Sequence, residues 1–288
     1  MFMIVAVWGL SYIVTKQALE ALDPLSLLFF KYVFAFALIC IIKLKMDRGS
    51  FIRKKDIPLY AVCSLIGDVL YFYCEYTAMS FLPVALLSII ITFAPAVSVV
   101  IERVLFNRRA SAKVIIGVAI CIFGVVLIIG VDFSLLADGR LTGYLLAFVC
   151  ILSWNVYNFI TIKLHDEYST VSLTFNQIVC TLLFLAPYVI HRSSELPVFT
   201  PALVAQLLYI GTLSGGVGFL IQVRALYVIG PTVTMLFVNF MPVATTFFGW
   251  LILKETITPV QIIGGIIVLA AGYIVIKEKD KMEELTDE

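Results

Sequence analysis

Charge is what this sequence has least of. Only 14% of its 288 residues are charged and 62% are hydrophobic, whereas a soluble domain keeps about a quarter charged to cover its surface. Too little polar surface remains to meet water on all sides, so lipid is the expected solvent. Histidine is scarce as well: His165 and His191 are the only two, both in or beside predicted loops. That excludes a histidine-based metal or catalytic centre within the membrane. The six cysteines fall in apolar runs with no CxxC pair. They suit neither zinc nor a disulfide framework and read as small buried hydrophobes. No HExxH, GxSxG or GxxxxGKS/T pattern occurs, and no cofactor or metal is expected. A net charge of +1 with no basic face beyond the loops excludes nucleic acid as a partner. The apolar start at Phe2 lacks a basic n-region and a small-residue cleavage site, so no signal peptide is expected. Lys16 closes the first span early, which suggests a start codon upstream.

What is present is a series of apolar runs. A spanning helix needs about 20 mostly apolar residues, and ten segments qualify: 2–19, 24–42, 57–79, 82–102, 112–130, 141–163, 170–190, 202–226, 231–252 and 259–276. Gly, Pro or charged residues punctuate the gaps, and the short Phe81–Pro83 and Gly230–Pro231 gaps predict antiparallel hairpins. With the N-terminus inside, fourteen of the 20 Lys and Arg residues fall on the inner side and four on the outer. Lys31 and Arg224 lie within spans. The positive-inside rule then puts both termini in the cytoplasm of a multi-pass inner (cell) membrane protein. Residues 277–288 read as a solvated acidic tail.

The two halves resemble each other. A shift of 147 residues brings Phe93-Ala94-Pro95 onto Phe240-Met241-Pro242, and Ile115-Ile116-Gly117 onto Ile262-Ile263-Gly264. A shift of 146 brings Trp8 onto Trp154, Thr15 onto Thr161, and Ser26-Leu27 onto Ser172-Leu173. Five spans per half is an odd number, so the second half must enter the membrane inverted. The expected fold is an all-α membrane protein of ten helices, built as two inverted repeats (1–139 and 140–276) around a central cavity. Inverted repeats are the architecture of secondary transporters, whose site lies between the halves near mid-membrane.

Ionisable groups inside a span are functional suspects. Asp68 and Glu75 in the third span are seven residues apart. Two α-helical turns would point both the same way, about 10 Å apart, with Tyr71 between them. A proton or cation site is one reading; a structural Lys31–Glu75 ion pair is the other, and it would leave Asp68 as the proton carrier. Under the 147-residue shift Glu75 meets Gln222 and Asp68 meets Gly215, so the acidic function is confined to the first half. Arg224 could snorkel to the interface or touch substrate. Pro95 and Pro242 each free the carbonyl four residues earlier and read as hinges or packing kinks. Trp8, Tyr12, Trp154 and Tyr157 crowd the first and sixth spans. Beside a carboxylate they could form an aromatic box for an ammonium group, or simply pack. The amides of Asn158, Asn239 and Gln222 need partners if buried. The glycines of the eighth span read as close helix packing.

These residues resemble the drug/metabolite transporter superfamily, in its EamA branch, over almost the whole chain. The resemblance rests on Trp8-Gly9 with Lys16, on Tyr73 to Ala78, and on Pro95. In the second half it rests on Gln177, Ala225-Leu226, Pro242, Lys254-Glu255 and the glycines of the tenth span. It implies ten helices around a cavity, a dimer contact through the fifth and tenth spans, and export of amino acids, their relatives or organic cations. Two positions depart from the pattern. Asn107-Arg108 stands where an acidic residue is common, and Lys31 stands where Arg is usual, which weakens a bidentate anion contact. The expected function is alternating-access transport of a small metabolite, with Trp8, Tyr12, Tyr71, Glu75, Trp154, Asn158, Asn239 and Gln222 contacting it. Proton coupling through Glu75 or Asp68 is the finer expectation. The rivals are an intramembrane enzyme using those two carboxylates and a non-transporting scaffold.

Overall fold

The computed structural model describes residues 1–47, 52–82, 111–129, 141–253 and 259–287, with positions 87, 90, 91, 94, 97 and 101 between. The described residues form helices. In chain order these are α1 (Phe2–Ala18), α2 (Pro24–Met46), α3 (Lys54–Phe81), α4 (Ala112–Ile129) and α5 (Leu141–His165). They are followed by α6 (Thr170–His191), α7 (Pro201–Gly230), α8 (231–238), α9 (Met241–Leu253) and α10 (Pro259–Asp287). Among the described residues five helices (α2, α3, α5, α6 and α7) are long and apolar enough to cross a membrane, and shorter apolar helices accompany them.

The helix starts follow local rules. Asp23 caps α2, its Oδ1 accepting from the Leu25 and Ser26 amides at 3.1 and 3.2 Å, with Pro24 in the first turn. Ser169 caps α6 through the Ser172 amide, and Thr200 caps α7 through the Leu203 amide. Gly230 separates α7 from α8 with φ 74° and ψ 168°, a conformation that only glycine adopts without strain. The expected kink at Pro242 is present as a break. α8 stops at Val238, two residues turn, and α9 restarts at Met241. Pro95 lies outside the described residues. α10 continues to Asp287, and its Glu278 meets Lys113 of α4 at 3.0 Å.

Two helices carry a wide π-helical turn: Ser64–Leu70 within α3 and Tyr209–Val217 within α7. Small residues let neighbours approach there. A Cβ on Gly67 would lie 2.1 Å from Tyr157 Cδ2, and one on Gly211 would lie 2.6 Å from the Lys31 carbonyl. α3 thus packs on α5 through one π segment, and α2 packs on α7 through the other. Around them α2 packs on α6, α1 on α9 and α4 on α10.

Asp47, Arg53, Lys55 and Asp56 are tied to the α5–α6 turn and the start of α6. Glu167 pairs with Arg53 and reaches Lys55 at 4.0 Å. The Tyr168 hydroxyl donates to Asp56 at 2.6 Å and accepts from the Arg53 amide at 3.0 Å. Burial, reinforced by Asp56, pushes that hydroxyl above its ordinary pKa, so it stays a donor at neutral pH. Ser169 and Ser172 donate to Asp47, and Lys43 donates to Ser172 at 2.8 Å. At the other end of the bundle Tyr188 donates to Asp23 at 3.1 Å, and Arg192 pairs with Glu195.

Candidate functional site

A pocket of about 600 Å³, adjoining open space included, lies between the helices, with Thr15 and Met79 lining the part nearest the ends of α1 and α3. Its floor and walls come from α1, α2, α3, α5 and α7, with Val238 and Met241 on either side of the α8–α9 break.

Glu75 is the charged acceptor of the cleft. It is 3% exposed, and its Oε1 accepts from Tyr12 at 2.6 Å and from Tyr71, one turn back on α3, at 2.8 Å. Two hydroxyl donors replace part of the water an ionised carboxylate loses on burial. Trp154 packs on Tyr71 at 4.8 Å and meets Trp8 edge-on at 6.4 Å. The Trp8 indole donates to the Ser214 carbonyl at 3.2 Å, inside the π segment of α7. Of the four aromatics expected to form a box, Trp8, Tyr12 and Trp154 line this space together with Tyr71 and Glu75, whereas Tyr157 does not line it and donates to Gln177 instead.

Lys31 faces the same cleft and is 2% exposed. Its ammonium sits 3.2 Å from the centroid of the Phe72 ring, with Tyr32, Tyr76 and Phe219 within 5.9 Å. Such a cation–π contact is worth about 2 kcal/mol when desolvated. Among the described residues no carboxylate lies within ion-pair distance of it, so the direct Lys31–Glu75 pair expected from depth alone is not formed in this conformation.

Asp68 is not in the cleft. It is 1% exposed and held by Tyr32, which donates to Oδ1 at 2.6 Å, and by Thr181, which lies 3.0 Å from Oδ2. The Thr181 hydroxyl is also 2.9 Å from the Gln177 carbonyl and has one proton to share between them. The expectation that Asp68 and Glu75 share a face assumed regular α-helix between them. Asp68 lies inside the wide turn Ser64–Leu70, so the register slips and the two side chains separate. Next to Asp68, Gln177 donates to Thr161 at 3.0 Å and accepts from Tyr157 at 3.3 Å.

The amides also lie outside the cleft. Gln222 donates to Asn158 at 3.1 Å and its Oε1 has no partner; both side-chain atoms of Asn239 lack one as well. A buried polar atom left unmatched costs about 1–3 kcal/mol. Arg224 is exposed, in keeping with snorkelling. The residues that sequence reasoning missed are Tyr32 and Thr181, the partners of Asp68, and Phe72, which carries Lys31. A hydroxyl-bearing residue beside Lys31 and another in the seventh span were the only visible signals.

The model of the EamA-like transporter family matches residues 1–130 and 141–277. The chain belongs to that family. Among relatives of this EamA-like transporter is an uncharacterized transporter of Archaeoglobus fulgidus, 27% identical and matched over 93% of each chain. A probable amino-acid metabolite efflux pump of Salmonella typhimurium is 22% identical, over 94% of this chain and 92% of its own. A probable terminal-alkyne amino-acid exporter of Streptantibioticus cattleyicolor is 26% identical, over 77% of this chain and 74% of its own. A solved crystal structure superposes with a TM-score of 0.77 over 95% of each chain at 16% identity, which speaks for the fold alone. The EamA-like protein is thus a multi-pass membrane transporter, and its two membrane carboxylates do not serve an enzyme.

Proposed function

We propose that this transporter exports a small zwitterion of the amino-acid class across the cell membrane by alternating access. In this reading the ammonium group meets Glu75 within the aromatic box of Trp8, Tyr12, Tyr71 and Trp154, and the carboxylate meets Lys31. One observation carries it: a carboxylate and an ammonium face one open cleft without neutralising each other. A simple organic cation would be repelled by Lys31, so the zwitterion is favoured over that alternative. The relatives named for amino-acid metabolite or amino-acid export agree with it.

The proposal includes ten spans in two inverted repeats, with both termini in the cytoplasm. Supporting it, the two family matches divide the chain near its middle, and the π segments end at Leu70 and Val217, 147 residues apart. The packing partners also exchange in pairs: α3 on α5 mirrors α7 on α1, and α4 on α10 mirrors itself. Protons are coupled through Glu75, which lies in the solute path, rather than through sealed Asp68. A homodimer through α4 and α10 belongs to the same reading, since both helices turn Ile116, Phe123, Ile263 and Ile266 outward.

In proteoliposomes the protein is expected to exchange a labelled neutral amino acid faster when a pH gradient is imposed. Glu75→Gln should remove that dependence, and a variant indifferent to the change sinks the coupling claim. A thermal-shift screen should show amino acids stabilising the protein and choline-like cations failing to; the reverse pattern selects the cation reading.

A further inference from the structure

Three fully buried amides carry hydrogen-bonding atoms with no partner among the described residues. Asn239 is 0% exposed with both Oδ1 and Nδ2 unmatched. Gln222, also 0% exposed, leaves Oε1 unmatched while its Nε2 donates to Asn158, and Asn155 leaves Oδ1 unmatched. Buried polar atoms in native proteins are nearly always satisfied, so several together need an explanation.

Their position supplies one. α5 ends at His165, α7 ends at Gly230 and α8 begins at 231, and the His165 and Tyr227 rings stack at 4.0 Å to hold two of these ends together. Asn158, Gln222 and Asn239 each lie seven or eight residues in from those termini, about 10–12 Å deep by helical rise. Asn155 is nearly one turn further in and follows Trp154, which lines the cleft. The amides therefore lie between the residues that line the cleft and the helix ends at His165, Gly230 and position 231. At those ends the Arg53–Glu167 pair and the Tyr168–Asp56 hydrogen bond tie the approach to α3 onto the α5–α6 turn.

We propose that Asn155, Asn158, Gln222 and Asn239 line a second passage, from the cleft to the Glu167 end, closed here by the Arg53–Glu167 and Tyr168–Asp56 latch. The inference rests on the transporter reading. When the latch parts, water or solute reaches the amides and satisfies the atoms that are unmatched in the closed arrangement. An amide offers both a donor and an acceptor, so it can hand on either end of a zwitterion without holding it as a fixed charge would.

The test is chemical accessibility in the full-length protein. Asn239→Cys and Asn158→Cys are made singly and treated with a water-soluble maleimide, and labelling is read site by site by mass spectrometry. Each is compared with the same cysteine in a Glu167→Gln/Tyr168→Phe background, which removes the latch contacts but keeps the Tyr168 ring. Labelling should be slow with the latch intact and rise roughly three- to tenfold without it. Cys121, fully buried where α4 meets α10, should stay unreactive in both. No rise at either position overturns the proposal, as does equal, rapid labelling in both backgrounds, which would mean fixed hydration rather than a gated path. The readout needs no transport. Amino-acid exchange without a labelling rise defeats this inference alone, whereas a labelling rise without any exchange defeats the proposed function.

Discussion

The two π-helical turns occupy matching positions, yet one carries a carboxylate and the other carries none. In α3 the turn presents Asp68, closed in by Tyr32 of α2 and Thr181 of α6. In α7 the same place is Gly215, where a Cβ would come 3.3 Å from Lys31 Cε and 3.6 Å from the Ala35 Cβ. The neighbours exchange as well, since a shift of 146 residues brings Lys31 onto Gln177 and Ala35 onto Thr181. The packing scheme therefore recurs while the chemistry does not. One turn seals a carboxylate among hydroxyls and an amide. The other makes room for a lysine that leans into the open cleft. Backbone geometry is shared by the halves, and single side chains decide which half confronts a solute.

This contrast can be broken by substitution. The largest effect is expected from Glu75→Gln, which removes the charged acceptor of Tyr12 and Tyr71. Loss of a charge-assisted contact worth about 1.5–3 kcal/mol should cut exchange in proteoliposomes roughly 10- to 100-fold. Gly67→Ala comes next. Its new methyl would lie 2.1 Å from Tyr157, and the overpacking should lower stability by about 1–3 kcal/mol, seen as a lower thermal midpoint in detergent. Asp68→Asn should cost stability by about 1–2 kcal/mol while exchange falls less than for Glu75→Gln, because Tyr32 can still donate to the amide oxygen. If Asp68→Asn instead abolishes exchange and Glu75→Gln does not, the division between open and sealed carboxylates is wrong. The smallest effect should come from Gly215→Ala. The new methyl would lie 3.2 Å from the Ile210 carbonyl and 3.3 Å from the flexible Lys31 stem; about 1 kcal/mol of helix propensity offsets that crowding, so stability should change little while the apparent affinity for an amino acid weakens severalfold.

The helices were readable because lipid imposes one rule on composition: apolar runs of spanning length. The box was readable in part. Trp8 and Trp154 are matched through the 146-residue shift, Tyr12 lies one turn on from Trp8, and Tyr71 lies one regular turn from Glu75. Asp68 could not be placed. Its seven-residue spacing from Glu75 promises a shared face only if the helix keeps 3.6 residues per turn, and a π turn leaves no compositional mark. Depth alone likewise suggested that Lys31 pairs with Glu75. The ring of Phe72, brought in by the packing of α2 on α3, holds the ammonium instead.

The sequence by itself determined that the chain lives in lipid, where its helices begin, and which few polar groups the membrane must accommodate, because each is a cost read from composition. Only the tertiary structure decided which of those groups share a space. That depends on two wide helical turns and on which neighbour each turn admits: Glu75 and Lys31 face the cleft, Asp68 is sealed behind it, and the amides lie beneath. Positions along a chain state how far apart residues are in number, but the angle between two side chains on a helix changes with every residue added to a turn.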